Sequence, residues 1–224
     1  MQTINNLADL LETINYLYTL LNGQLEIDSD GWPTFQKEHF LDEWPEDLVT
    51  YVNRKNKLIV VRKKTLLCHF ASDSQNYRRL PRVMDDIKEY QKFLGTVFLD
   101  ITVTKDMDAE MQELVLLANQ LYAAVLAVNG IKLVANTRCG SKLTQKYLRR
   151  IPRNVIWASS FLGCHKTSNT LETAEYINKI LGLMPSKLII YGKQDPAVND
   201  QLDTLGINYR YYEDFHRRCK KEAT

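Results

Sequence analysis

Asp100, Asn136, Arg138, Ser159, Ser160 and Tyr191 fall at or near the ends of short β-rich runs, where an α/β fold would gather them on one rim. Residues of these types in that pattern suit a site for an anionic small molecule. The Arg138 guanidinium offers a planar fork of donors to phosphate or carboxylate. Helix N-termini near Ser141 and Lys166 would add backbone N–H groups. Asp100 is then a general base, or an acceptor for a ligand hydroxyl. The same residues also have a structural reading, in which Asp100 and Arg138 form a salt bridge that orders the loops while Asn136, Ser159 and Ser160 cap helices. Cys164 followed by His165 raises a thiol nucleophile as a further possibility. Adjacent loop residues point apart, however, and a thiol and its base are normally brought together by the fold.

The elements that must position these residues are legible in the second half of the chain. Five β-rich runs, at residues 95–107, 129–140, 155–164, 187–193 and 206–214, alternate with amphipathic stretches. Strand, helix, strand at this spacing predicts βαβ units and a mostly parallel sheet, whose ligands sit at the carboxyl ends of the strands. Helices are expected over 6–21, 80–94 and 107–128, the last with Asp106 as N-cap. Ser141, Thr170 and Asp195-Pro196 open three more. Residues 56–70 hold two short β-type runs around Arg62-Lys63-Lys64, and the acidic stretch 24–50 reads as an irregular connection anchored by Trp32 and Trp44. The final ten residues are expected to fray. The fold class is therefore α/β, either an open sheet or a partial barrel, with an N-terminal elaboration over 1–55 and the α/β domain over 56–224.

Composition sets the outer bounds. With 224 residues, 45% of them hydrophobic and 25% charged, the chain can bury one sizeable core. No apolar run approaches the roughly 20 residues that span a bilayer, and the start lacks a signal-peptide pattern, so a cytoplasmic protein is expected. Four scattered cysteines form no C-x-x-C pair, and His39, His69 and His216 have no ligand spacing, so neither a metal nor a cofactor is indicated. Serine-hydrolase, zincin, P-loop and dinucleotide fingerprints are all absent. The net charge of +2 hides an asymmetry: residues 1–50 hold ten acids and one base, the remainder 17 acids and 28 bases. The acidic start is expected to pack on or screen the basic remainder. Arg78-Arg79, Arg149 to Arg153 and Arg217 to Lys221, with twelve tyrosines, leave nonspecific nucleic-acid binding as a secondary reading. The tyrosine-rich segment 208–214 could be an edge that pairs in a homodimer, or the surface of a monomer.

Several short elements recur in a definite order: M-D-D-I around Asp85 and Asp86, Asp100 with Asp106-Met107, and Asn136, Arg138 and Gly140 of the second run. Ile151-Pro152, Leu162-Gly163-Cys164 and the Ile-Ile-Tyr-Gly of 189–192 follow. In this order the segment from about Leu80 to Asp214 resembles an uncharacterised family of bacteriophages, prophages and other bacterial mobile elements, catalogued as domain of unknown function 4417. Leu99 and Cys139 depart from the proline and tryptophan that family often carries there. The resemblance implies an α/β fold and a phage or prophage origin, adds Asp86 to the candidate ligand-binding residues, and brings no known reaction. Two functions follow as expectations. One is an accessory protein that binds a host component, such as a defence protein, through its acidic N-terminal region. The other is an enzyme or binding protein for a nucleotide-like or other phosphorylated ligand at the strand-end rim.

Overall fold

The structure is a computed structural model that describes residues 4–161 and 170–222. Its described strands are β1 (Asp47–Thr50), β2 (Thr65–Cys68), β3 (Gly95–Val97), β4 (Leu133–Asn136), β5 (Ile156–Phe161), β6 (Lys187–Gly192) and β7 (Tyr209–Tyr212). All neighbours pair in parallel, and their order in the sheet is their order in the chain. A doubly wound sheet reverses its strand order at a switch point. Sequential order without reversal curls one way, into a barrel. The sheet is nearly closed, and the seam between β7 and β1 is bridged by side chains. The Tyr212 hydroxyl donates to the Pro45 carbonyl at 2.7 Å, and Arg218 meets the Asp47 carboxylate at 2.6 and 3.2 Å.

Alternation along the strands produces two apolar layers. Leu48, Leu66, Cys68, Val97, Val134, Ile156, Ala158, Ile189, Tyr191 and Tyr212 come from all seven strands and form one buried cluster, the filled barrel interior. Intervening residues such as Val49, Leu67, Ala135, Trp157 and Ile190 face outward and join the helices in the larger cluster. The helices are α1 (Leu7–Leu21), α2 (Asp73–Tyr77), α3 (Val83–Tyr90), α4 (Ala109–Val128), α5 (Gln145–Leu148), α6 (Thr170–Leu183), α7 (Pro196–Thr204) and α8 (Phe215–Glu222). Among them α4 alone is long and apolar enough to cross a membrane by length and composition, which the sequence reading did not anticipate. Its residues from Val115 to Ala127 are mostly buried among the other elements.

The N-terminal segment is part of this barrel. Leu10, Ile14, Leu17 and Leu21 of α1 belong to the larger cluster, and β1 lies within the stretch read as an irregular elaboration. Residues 40–46 pass across the amino ends of the strands: Phe40 bridges Leu133, the Lys187 ammonium reaches the Asp42 carbonyl, and Arg210 stacks on Trp44 at 4.8 Å. The boundary expected at residue 55 falls between the paired strands β1 and β2 of this sheet. The acidic start does pack on the basic remainder, through Asp28 and Asp30 with Arg150, Glu46 with Lys64 and Asp47 with Arg218.

Three local expectations are corrected. The run from Leu58 to Val61 is not a strand, and Val60 is 91% exposed. Asp108, not Asp106, caps α4, accepting from the backbone N–H groups of Glu110 and Met111 at 2.9 and 3.3 Å. The last ten residues do not simply fray, because Phe215 is buried and α8 extends to Glu222.

Candidate functional site

One candidate site sits over the carboxyl ends of β4 and β5, where α/β folds place ligands. It is a cavity of about 280 Å³ whose lining includes five of the expected residues, Asp100, Asn136, Arg138, Ser159 and Ser160. Asp100 lies three residues past β3 and is 6% exposed. Both its oxygens are engaged: Arg138 Nε donates to Oδ1 and Nη2 to Oδ2, each at 2.8 Å. Asn136 Nδ2 also donates to Oδ1, at 2.9 Å, while Asn136 Oδ1 accepts from the Arg138 backbone N–H at 3.0 Å. This closed network ties the end of β3 to the end of β4. The salt-bridge reading and the site reading of this pair are thus the same object, an ion pair that forms one wall of the cavity.

Other expectations resolve differently. Asp86 lies away from this cavity on α3, paired with Arg79 at 2.7 Å. Tyr191 is wholly buried inside the barrel, stacked on Phe70 with ring centroids 5.4 Å apart. Its hydroxyl accepts from the Phe215 backbone N–H at 2.9 Å, so it is a packing and anchoring residue. The backbone N–H of Ser141 is not open to an anion, because it donates to Gln112 Oε1 at 2.9 Å. Asn136 and Ser159 do not cap helices: Ser159 Oγ meets the Tyr176 hydroxyl at 3.0 Å and accepts from Thr137 at 3.3 Å. Cys164, His165 and Lys166 lie outside the described residues.

Two sets of residues were not anticipated. The first is a polar stripe on α6: Glu172, Glu175, Tyr176 and Lys179 recur every three or four residues, which places them on one helical face, and all four line the cavity. That spacing was the available signal. Lys105 reaches across to Glu175 at 2.8 Å, and the shared hydrogen bond and charge raise the lysine pKa and lower the glutamate's. Tyr176 is held neutral by burial, which raises its pKa. Lys179 makes no ion pair or hydrogen bond among the described residues, its nearest specific contact being the Tyr176 ring at 5.7 Å. Desolvation lowers its pKa, and the neighbouring Arg138 adds to that effect.

The second is Gln112 of α4, buried beneath the loops that frame the cavity. Its Nε2 donates to the Met107 carbonyl at 2.8 Å, and its Oε1 serves both Ser141 and Thr144. Gly140 passes so close that a Cβ there would collide with Gln112 Oε1 and meet the Thr104 carbonyl at 2.8 Å. Close approach, rather than a special dihedral, is what requires glycine here.

Chemically the lining is balanced, with cations Lys105, Arg138 and Lys179 against acids Asp100, Glu172 and Glu175. No group of three or more histidine, cysteine, aspartate or glutamate side chains among the described residues could hold a metal ion. Comparisons with family models, with curated proteins and with solved structures returned no match, so function rests on this geometry.

Proposed function

We propose that the chain binds a small phosphorylated or carboxylated molecule in the cavity over β4, β5 and α6, with the Lys179 ammonium as its principal anion contact. Lys179 carries this reading. It is a desolvated ammonium lining a cavity, and its i−4 neighbour Glu175 is already committed to Lys105. A cation in that position gains more from a ligand's negative charge than one in water. Binding is favoured over catalysis because Asp100 has both oxygens engaged by Arg138, so it serves to hold the wall rather than to take a proton. Ser160 and Gln145 supply further polar groups along the lining.

In an accessory protein of a mobile element, as the family resemblance implies, such a cavity would sequester a host's phosphorylated small molecule in the cytoplasm. The free cysteines Cys68, Cys139 and Cys219 suit that reducing compartment. The alternative of a host protein captured by the acidic N-terminal region has less to draw on, since Asp28, Asp30, Glu46 and Asp47 are engaged within the chain. Calorimetric titration with a panel of nucleotides, sugar phosphates and dicarboxylates tests the proposal. A ligand whose affinity falls about 10- to 100-fold in Lys179→Gln, the range of one hydrogen bond to a charged group, supports it. Equal affinity in the variant overturns it.

A further inference from the structure

A second cavity, also about 280 Å³, opens over the carboxyl ends of β1 and β2, and its charge is not balanced. Tyr51 follows β1 directly, His69 follows β2, and α2 with the turn after it contributes Asn76, Arg78 and Arg79. Arg54 completes the wall. Three guanidinium groups therefore line this space, and none of the lining residues is acidic. Arg79 is neutralised by Asp86 at 2.7 Å. The other two are not paired: Arg54 and Arg78 make no ion pair with any described residue. Glu89, whose carboxylate feels the charge of Arg54, is held by Lys92 at 2.6 Å.

The wall is also built rather than merely charged. Arg54 lies over the Tyr51 ring at 4.1 Å and donates from Nη1 to the Tyr51 carbonyl at 3.0 Å, which fixes the direction of the guanidinium while its buried Nε has no partner. Arg79 approaches the same ring at 5.3 Å. Burial, and after it the neighbouring Asp86 carboxylate, raise the pKa of the Tyr51 hydroxyl. Asn76 donates to the carbonyls of both His69 and Asp100, at 3.0 and 3.1 Å, so this wall is joined to that of the first cavity.

We propose that this second cavity is a phosphate subsite, in which Arg54 and Arg78 grip a phosphate group carried by a small molecule. Guanidinium forks match phosphate oxygens in pairs, and a concave space with two unpaired arginines is short of acceptors, which a phosphate supplies. A nucleic-acid backbone is the poorer fit, because it needs an extended basic groove rather than a small cavity.

The probes are inorganic phosphate and pyrophosphate, titrated calorimetrically into the whole protein at low salt, with Arg78→Gln and Arg54→Lys as variants. Arg78 is exposed and makes no ion pair, so its substitution leaves the melting temperature in place. The expected result is saturable pyrophosphate binding, weakened at least fivefold by Arg78→Gln, weakened by Arg54→Lys through loss of the fork, and unchanged by Lys179→Gln. Binding that is unchanged in both arginine variants, or that is lost only in Lys179→Gln, overturns the subsite. The Lys179 variant reports on the first cavity alone, so either site can fail without the other.

Discussion

His69 ties the pH dependence of stability to one buried ring. It is 2% exposed, with Nε2 facing the Tyr90 hydroxyl at 3.0 Å and the Thr96 hydroxyl at 3.3 Å, and with its ring stacked on Tyr51. Burial, reinforced by the nearby positive charge of Arg79, pushes its pKa down to about 3, from 6.5 for an exposed imidazole. Because the folded pKa is depressed, the unfolded chain binds the proton first. The folded state keeps its full advantage above about pH 6.5 and loses it progressively as pH falls toward 3. Between pH 7 and pH 5 the loss from this single group is about 2 kcal/mol. Urea unfolding of the wild type and of His69→Gln at both pH values measures it. His39, whose pKa burial also lowers, titrates in both proteins and cancels in the comparison. Asp28 and Glu89, whose partners hold their carboxyls low, lose stabilisation only at still lower pH. The variant should be less stable at pH 7 and should lose about 2 kcal/mol less than the wild type on acidification. Equal losses in the two proteins refute the reasoning.

Three further outcomes are expected. Asp100→Ala removes the carboxylate from Arg138 and one partner from Asn136. With Arg138 29% exposed, the cost sits at the lower end for a broken buried pair, about 3 kcal/mol in urea unfolding. A loss below about 1 kcal/mol would mean that this pair does not tie β3 to β4. Gly140→Ala drives a methyl group into Gln112 and the Thr104 carbonyl, costing about 1–3 kcal/mol, and a melting temperature equal to wild type would contradict the close approach. Tyr191→Phe leaves the Phe215 N–H unpaired inside the protein, at about 1–3 kcal/mol. Hydrogen exchange should then quicken at the start of α8, and unchanged exchange there would count against the anchor.

The alternation of β-rich and amphipathic runs made β3 to β7 legible, because each strand carries enough apolar residues to stand out between glycine and proline signals. β1 did not stand out: Asp47–Thr50 is four residues long and sits in an acidic, tryptophan-containing stretch. Conversely, Leu58 to Val61 has β-type residues yet no neighbour to pair with. Closure was not legible, since an open sheet with both faces covered and a filled barrel both ask for apolar side chains on both faces of each strand. At the site, Asp100, Asn136, Arg138 and Ser160 were found because strand ends locate ligands. Lys179 was missed because a lysine on an amphipathic helix reads as solvated until the fold brings that face over a cavity. Tyr191 failed in the opposite sense, its position in β6 pointing into the barrel rather than to the rim. Removing residues 1–50 would not isolate a partner surface either, because it takes away β1 and the segment closing the amino end of the barrel.

Native mass spectrometry of the protein taken gently from bacterial cells addresses the central claim most directly. A bound small anion of defined mass is expected on the wild type, with its loss from Lys179→Gln at unchanged melting temperature. The same adduct retained at equal occupancy on the variant, or a bare wild type that takes up none of the phosphorylated or carboxylated panel, would contradict it.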